Sequence, residues 1–162
     1  MTRAEFAAIA SRFEKLTEGS KSFADVPDTY WAARYINFAA TRGWVTGYSD
    51  GTFKPENTIT RAEVAAVLCR HATGYTPQGA GDCFYDVQGD KWYAGVVEWC
   101  YHNSIVTGER DEYGDETGYF RPNDCVTREQ LATMVHRYAL MLGMGTEAVT
   151  YTHMTMPTNH TD

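Results

Sequence analysis

The chain has no run of about 20 apolar residues, the length a helix needs to cross a bilayer, and no charged-then-apolar leader precedes its first helical pattern. Neither a membrane span nor a signal peptide is expected. Cations are scarce: 14 Lys and Arg face 21 Asp and Glu, for a net charge of -7 over 162 residues. Affinity for nucleic-acid phosphates comes mostly from counterion release by clustered Lys and Arg, so nucleic acid is not an expected partner, whereas neutral or locally anionic ligands stay open. The four cysteines, Cys69, Cys83, Cys100 and Cys125, form no C-x-x-C pair, which argues against a zinc or redox site and for free thiols, with Cys100 in the core. Catalytic signatures are also missing. There is no G-x-S-x-G, P-loop, H-E-x-x-H or matched Cys–His pattern, so no enzyme activity, cofactor or metal is called for.

What is present is a pattern of helix starts. In "TITRAEVAAVLCRH", Thr60 and Glu63 form a capping box, and Val64, Val67, Leu68 and His71 fall at i, i+3, i+4 and i+7, the stripe of an amphipathic helix. Arg61, in the first turn, opposes the helix dipole by roughly 0.3–1 kcal/mol and needs another reason to be there. The same arrangement opens the chain as "MTRAEFAAIASRF" and returns as "CVTREQLATMVHRY", giving Arg3, Arg61 and Arg128 equivalent places and superposable stripes.

A second shared block lies between these helices. Phe23, Asp25, Val26, Trp31 and Gly47 recur 61 residues later as Phe84, Asp86, Val87, Trp92 and Gly108; Gly51, Phe53, Pro55, Thr60 and Arg61 recur 67 residues later as Gly118, Phe120, Pro122, Thr127 and Arg128. Six residues are therefore inserted after Gly108, in the acidic surface loop "ERDEYGDETG". Its Asp111, Glu112, Asp115 and Glu116 are oxygen ligands without the EF-hand order, and a solvated loop is expected. Each unit reads as an Asp-bearing loop, a helix from the Trp, a tight turn such as Asp50–Gly51, and an arginine helix. The divisions are 1–22, the end of a first unit; 23–82, a second; 83–149, a third with the insertion; and 150–162, the start of a degenerate or truncated unit with His153 at the Asp position. Met1 stands where the repeat has Ile59 or Val126, so the chain is expected to be a piece of a longer protein.

The motifs "FADV", Trp31, "GWVTGYSDGTFKP" and "ITRAE", repeated as "FYDV", Trp92, "IVTG", "GYFRP" and "VTREQ", resemble the S-layer homology domain family over nearly the whole chain. The resemblance implies an all-α fold of tandem repeats packed as a pseudo-threefold helical bundle. It also implies an exported module, located at the bacterial cell wall or S-layer, that binds secondary cell-wall polysaccharide, typically carrying pyruvylated N-acetylmannosamine, in grooves between units. Further repeats or a cargo domain of the same protein would accompany it.

The resemblance assigns groove-lining roles to Arg3, Arg61 and Arg128 with Asp25, Asp86, Trp31 and Trp92. It also suggests why arginine opens the helices: a pyruvyl ketal presents a carboxylate, a capped helix N-terminus with free N–H groups is an anion site, and the planar guanidinium can hold a carboxylate through two bonds. The alternative reading is an arginine that pairs with Asp25 or Asp86 and ties repeats together. Trp31 and Trp92 read equally as core residues. Trp44, whose place in the next repeat is held by Ser104–Ile105 and so does not require Trp, is a candidate platform for sugar stacking. Lys54 and Arg121 share one place between Phe and Pro and could help hold an anion. Ala62 becomes Glu129 in the last motif, placing a carboxylate beside Arg128, so the Arg61 groove is expected to bind anions better. The second functional reading is a protein-interaction or self-assembly module of a surface-layer protein, with or without calcium.

Overall fold

The computed structural model describes residues 1–144, and the expectations for Tyr151, His153 and the unit that would start at 150 lie outside them. Within the described residues all regular structure is α-helical: α1 (Arg3–Ala10), α2 (Ala33–Thr41), α3 (Arg61–Thr73), α4 (Ala94–His102) and α5 (Arg128–Met141), with only isolated bridges in the connections. The all-α expectation holds. One compact unit begins at Met1 and runs to Ile59, and a second begins at Thr60. Each therefore joins an arginine helix to the Asp-bearing block that follows it in sequence.

All three arginine helices start as the capping boxes require. Thr2, Thr60 and Thr127 accept the N–H of Glu5, Glu63 and Gln130, whose side chains accept the Thr N–H in return. Their lengths differ. α1 stops at Ala10 after eight residues, all buried, so Phe13 falls beyond the helix end and its ring packs near Trp44 instead of completing a stripe. α5 keeps the expected one-sided burial at Leu131, Met134, Val135 and Tyr138. The tryptophan helices begin two residues after the Trp, at Ala33 and Ala94, and neither has a side-chain cap.

In the first unit α1 packs on α2, and Phe6, Ile9, Ile36, Phe38 and Phe53 are fully buried. In the second, α3 packs on α4 around Val64, Leu68, Val87, Val96, Ile105 and Phe120. Full burial of side chains of this size contributes about 1.5–3 kcal/mol each. His71 meets Tyr138, its equivalent in the last stripe, through a hydrogen bond between Nδ1 and the phenol, so it is a half-buried core residue as expected. All four cysteines are free; Cys69 and Cys100 are buried, Cys83 is half-buried and Cys125 is exposed. Burial raises the thiols of Cys69 and Cys100 above the ordinary range.

The inserted loop has internal order. Asp111 Oδ1 accepts the N–H of Tyr113 and of Asp115, both at 2.9 Å, and Arg110 pairs with Glu116 at 3.4 Å. The loop is largely exposed, and three of its acidic side chains, Glu109, Asp111 and Glu116, are engaged by the loop's own donors.

Candidate functional site

The construction of the site begins at the Asp of each block. Asp25 accepts the backbone N–H of Phe53 on Oδ1 and of Lys54 on Oδ2, both at 2.8 Å. Asp86 does the same for Phe120 and Arg121, both at 2.9 Å. Lys54 and Arg121 sit at φ of 57° and 63°, a left-handed conformation costly for a side-chain-bearing residue. The two-pronged carboxylate holds them there, so Asp25 and Asp86 are clamps on the turn before the proline.

The clamped turn then receives the helix start. Arg61 N–H donates to Asp124 O and Ala62 N–H to Pro122 O, both at 2.9 Å; in the first unit Arg3 N–H donates to Asn57 O at 2.8 Å and Ala4 N–H to Pro55 O at 3.0 Å. With the third N–H taken by the capping threonine, the first turns of α1 and α3 have their donors consumed by the protein itself. This corrects the expectation of a helix N-terminus open to an anion. Only side chains here have donors left over for a ligand.

The arginines divide in role. Arg3 is 8% exposed; its Nε donates to Phe53 O and its Nη2 to Thr46 O, each at 2.9 Å, and its guanidinium lies over the rings of Phe53 and Tyr48 at 4.5 and 5.2 Å. Arg61 makes only the first of these bonds, Nε to Phe120 O at 2.8 Å, with its guanidinium 4.6 Å over the Phe120 ring. Its terminal nitrogens donate to none of the described residues. Burial lowers the Arg61 pKa from its ordinary value, against the opposing pull of Asp124, Asp86 and Glu109, so the ion is partly stripped of water without a direct carboxylate partner. Arg128 is exposed at the start of α5.

Arg61 opens into a groove of about 680 Å³ in the second unit. Four arginines line it, Arg61, Arg110, Arg121 and Arg137, with three carboxylates, Glu109, Asp124 and Glu129. Glu129 thus faces the groove of Arg61, and the expectation that it weakens only a groove of Arg128 is corrected: the side chain projects back over the turn preceding its own Cα, toward the block before α5. Arg121 Nη2 is held by Glu109 Oε2 at 3.2 Å, and Thr117 donates to the same oxygen at 2.9 Å. In consequence Glu109 is kept below the usual carboxylate range, by the Thr117 bond first and Arg121 second. Lys54, the equivalent of Arg121, instead lies 4.4 Å from the Tyr48 ring centroid.

Of the sequence candidates, Arg61 and Arg121 come together in the groove, with Asp86 behind them. Asp25, with Arg3 and Lys54, belongs to the first unit; α3 docks on the block that follows it, and Asp86 there makes no ion pair with Arg61, because both its oxygens are taken by the backbone N–H groups of Phe120 and Arg121. Trp44 is corrected outright: 3% exposed, it packs edge-on to Phe38 at 5.5 Å and near Phe13, leaving no ring face for a sugar. Trp31 is half-buried beside Tyr30, and Trp92 is 55% exposed against Tyr93 and does not line the groove, so core packing does not describe it. The sequence reading missed the rings that carry the guanidinium groups, Phe53, Tyr48 and Phe120, and the counter-ion Glu109. The recurrence of Phe53 and Phe120 at a fixed distance before the arginine was the available signal.

The S-layer homology domain model matches residues 22–65 and 84–132. The chain is 34% identical over 125 residues to an amylopullulanase of Thermoanaerobacterium thermosulfurigenes, covering 77% of the chain and 6% of that protein. It is 31% identical over 147 residues to a cellulosome-anchoring protein of Acetivibrio thermocellus, covering 85% of the chain and 31% of the relative. An S-layer protein of Bacillus thuringiensis subsp. finitimus is 29% identical over 135 residues, 83% of the chain and 15% of its own length. The chain therefore spans less than a third of each of these relatives.

Proposed function

Because the chain belongs to the S-layer homology domain family, we propose that it is a non-catalytic cell-wall anchoring module, located outside the cell, that holds secondary cell-wall polysaccharide carrying a pyruvylated amino sugar in the Arg61 groove. The observation that carries this is the guanidinium of Arg61: half-buried, fixed by one bond to Phe120 O, with its terminal nitrogens donating to no acceptor among the described residues. Two parallel N–H groups in that state match a carboxylate, each charge-assisted bond contributing roughly 1.5–3 kcal/mol. Arg121, positioned by Asp86, is the second cation of the site. Relatives named as an anchoring protein and an S-layer protein support the surface role, and the small share of the amylopullulanase that the chain matches supports its being an accessory module of larger proteins. Further repeats or a cargo domain would complete the protein.

The test is sedimentation with purified cell walls before and after acid extraction of the secondary polymer. Binding should disappear with the polymer; binding that survives extraction refutes the sugar reading and favours a protein-interaction module.

The groove's charge pattern leads to a second expectation. Glu109 neutralises Arg121 and repels an anion, so Glu109→Gln should tighten binding of the pyruvylated polymer by about two- to fivefold, measured by calorimetry, and the gain should shrink at high salt as exposed charges are screened. Unchanged or weaker binding would show that the anion does not reach Arg121.

A further inference from the structure

Glu98 and His102 stand one helical turn apart on α4, and the loop ahead of Phe84 lays Asp82 and Cys83 against them. Ligand atoms of Asp82, Cys83 and Glu98 all lie within 4.8 Å of one another. Cys83 Sγ is 3.8 Å from Asp82 Oδ1 and 3.8 Å from His102 Nε2. Glu98 is 7% exposed, and its two oxygens accept the N–H of Ala80 at 3.0 Å and of Gly81 at 3.2 Å. Bonds of that kind hold a ligating carboxylate in place, and each oxygen keeps a further lone pair.

The other repeat serves as an internal control. Sixty-one residues earlier the same four positions hold Lys21, Ser22, Asn37 and Thr41. There the Thr41 hydroxyl accepts the N–H of Ser20 and of Lys21, at 2.9 and 3.1 Å, and ties the loop to its helix by itself. The fold thus needs one neutral acceptor at this place. The second unit has instead a carboxylate, a thiol, a second carboxylate and an imidazole, four metal-ligand side chains where the equivalent knot has none of that set.

We infer that Asp82, Cys83, Glu98 and His102 form a zinc site that staples the loop before Phe84 to α4. Sulfur and imidazole select a borderline-soft ion over calcium or magnesium. In tetrahedral zinc with bonds of about 2.3 Å to sulfur and about 2.0 Å to nitrogen or oxygen, neighbouring ligand atoms lie roughly 3.5 Å apart; the Cys83–Asp82 and Cys83–His102 spacings of 3.8 Å are close to that, and the remaining ligands close on the ion by rotation of the exposed Asp82 and His102 side chains. Asp82 and His102 are exposed, which gives the ion an entrance. As the sulfur–zinc bond forms, the thiol proton leaves to solvent. The role is structural: Phe84, next to Cys83, packs on Phe120 at 5.4 Å, and Asp86 clamps the groove turn.

A spacing search for C-x-x-C does not detect such a cluster, because its ligands come in two pairs from different elements. The test uses the whole chain, stripped with chelator and kept reduced, titrated with zinc chloride. One ion per chain should bind with micromolar or tighter affinity, raise the melting temperature reversibly to EDTA, and in the cobalt form give a thiolate charge-transfer band. Cys83→Ser and His102→Thr, which install the residues of the other repeat and so keep the fold, should each weaken binding at least tenfold and remove or perturb that band, while Cys125→Ser should not. No measurable zinc binding, or binding unchanged in Cys83→Ser, overturns the inference.

Discussion

Arg3→Ala should lower the melting temperature by roughly 5–10 °C. The Arg3 guanidinium gives charged donors to Phe53 O and Thr46 O and stacks on Phe53, in a place almost closed to water. Removing it takes a charged donor from two carbonyl oxygens, at about 1–3 kcal/mol for each one left without a replacement. Relief of a cation at a helix N-terminus returns roughly 0.3–1 kcal/mol. A net loss of about 2–3 kcal/mol corresponds to the stated shift at about 2–4 °C per kcal/mol for a chain of this size. Arg3→Lys should recover only part, since one ammonium cannot reproduce the two directions served by Nε and Nη2. A change below 2 °C for Arg3→Ala in differential scanning calorimetry would mean that water replaces the lost donors.

Arg61→Ala should weaken binding to pyruvylated cell-wall polymer by tenfold or more, since loss of a bidentate carboxylate contact removes at least about 1.4 kcal/mol. Its stability cost should be smaller than that of Arg3→Ala, because Arg61 holds one carbonyl instead of two and is less buried. The pair of substitutions therefore separates roles that sequence equivalence makes look identical: Arg3 chiefly as a tie, Arg61 as a tie with donors left for a ligand. Arg128→Ala should change affinity less, as Arg128 does not line the groove. If Arg61→Ala lowers the melting temperature by several degrees and leaves polymer binding intact, Arg61 is a structural tie alone and the proposed function fails with it.

Much of the architecture was legible because it depends on contacts close in sequence. The three capping boxes, the Asp50–Gly51 turn and the one-sided stripe of α5 each need only residues within a few positions of one another, and all appear where the pattern places them. Cys100 was expected in the core because the repeat places Ala39 at the equivalent position, and it is buried. Helix ends were less legible. Phe13 fits the stripe by spacing, yet α1 ends three residues before it, and an apolar residue satisfies the same pattern whether it continues a helix or folds back on Trp44.

The arginine, aspartate and proline at fixed spacings, and the repeat they mark, were determined by the sequence alone. Which residues share a site was decided only by the tertiary structure. A carboxylate a few tens of residues from an arginine in either direction looks alike on paper; the docking of α3 on residues 120–124 gives Arg61 to the Phe120 carbonyl and ring, on the turn that Asp86 clamps, and Asp25 belongs to the first unit. The same docking consumes the N–H groups that sequence reasoning left for an anion, and brings Glu129 to the Arg61 groove. Local propensity acts over one turn of chain, whereas charge pairing and desolvation act through space, and only the folded chain fixes those distances.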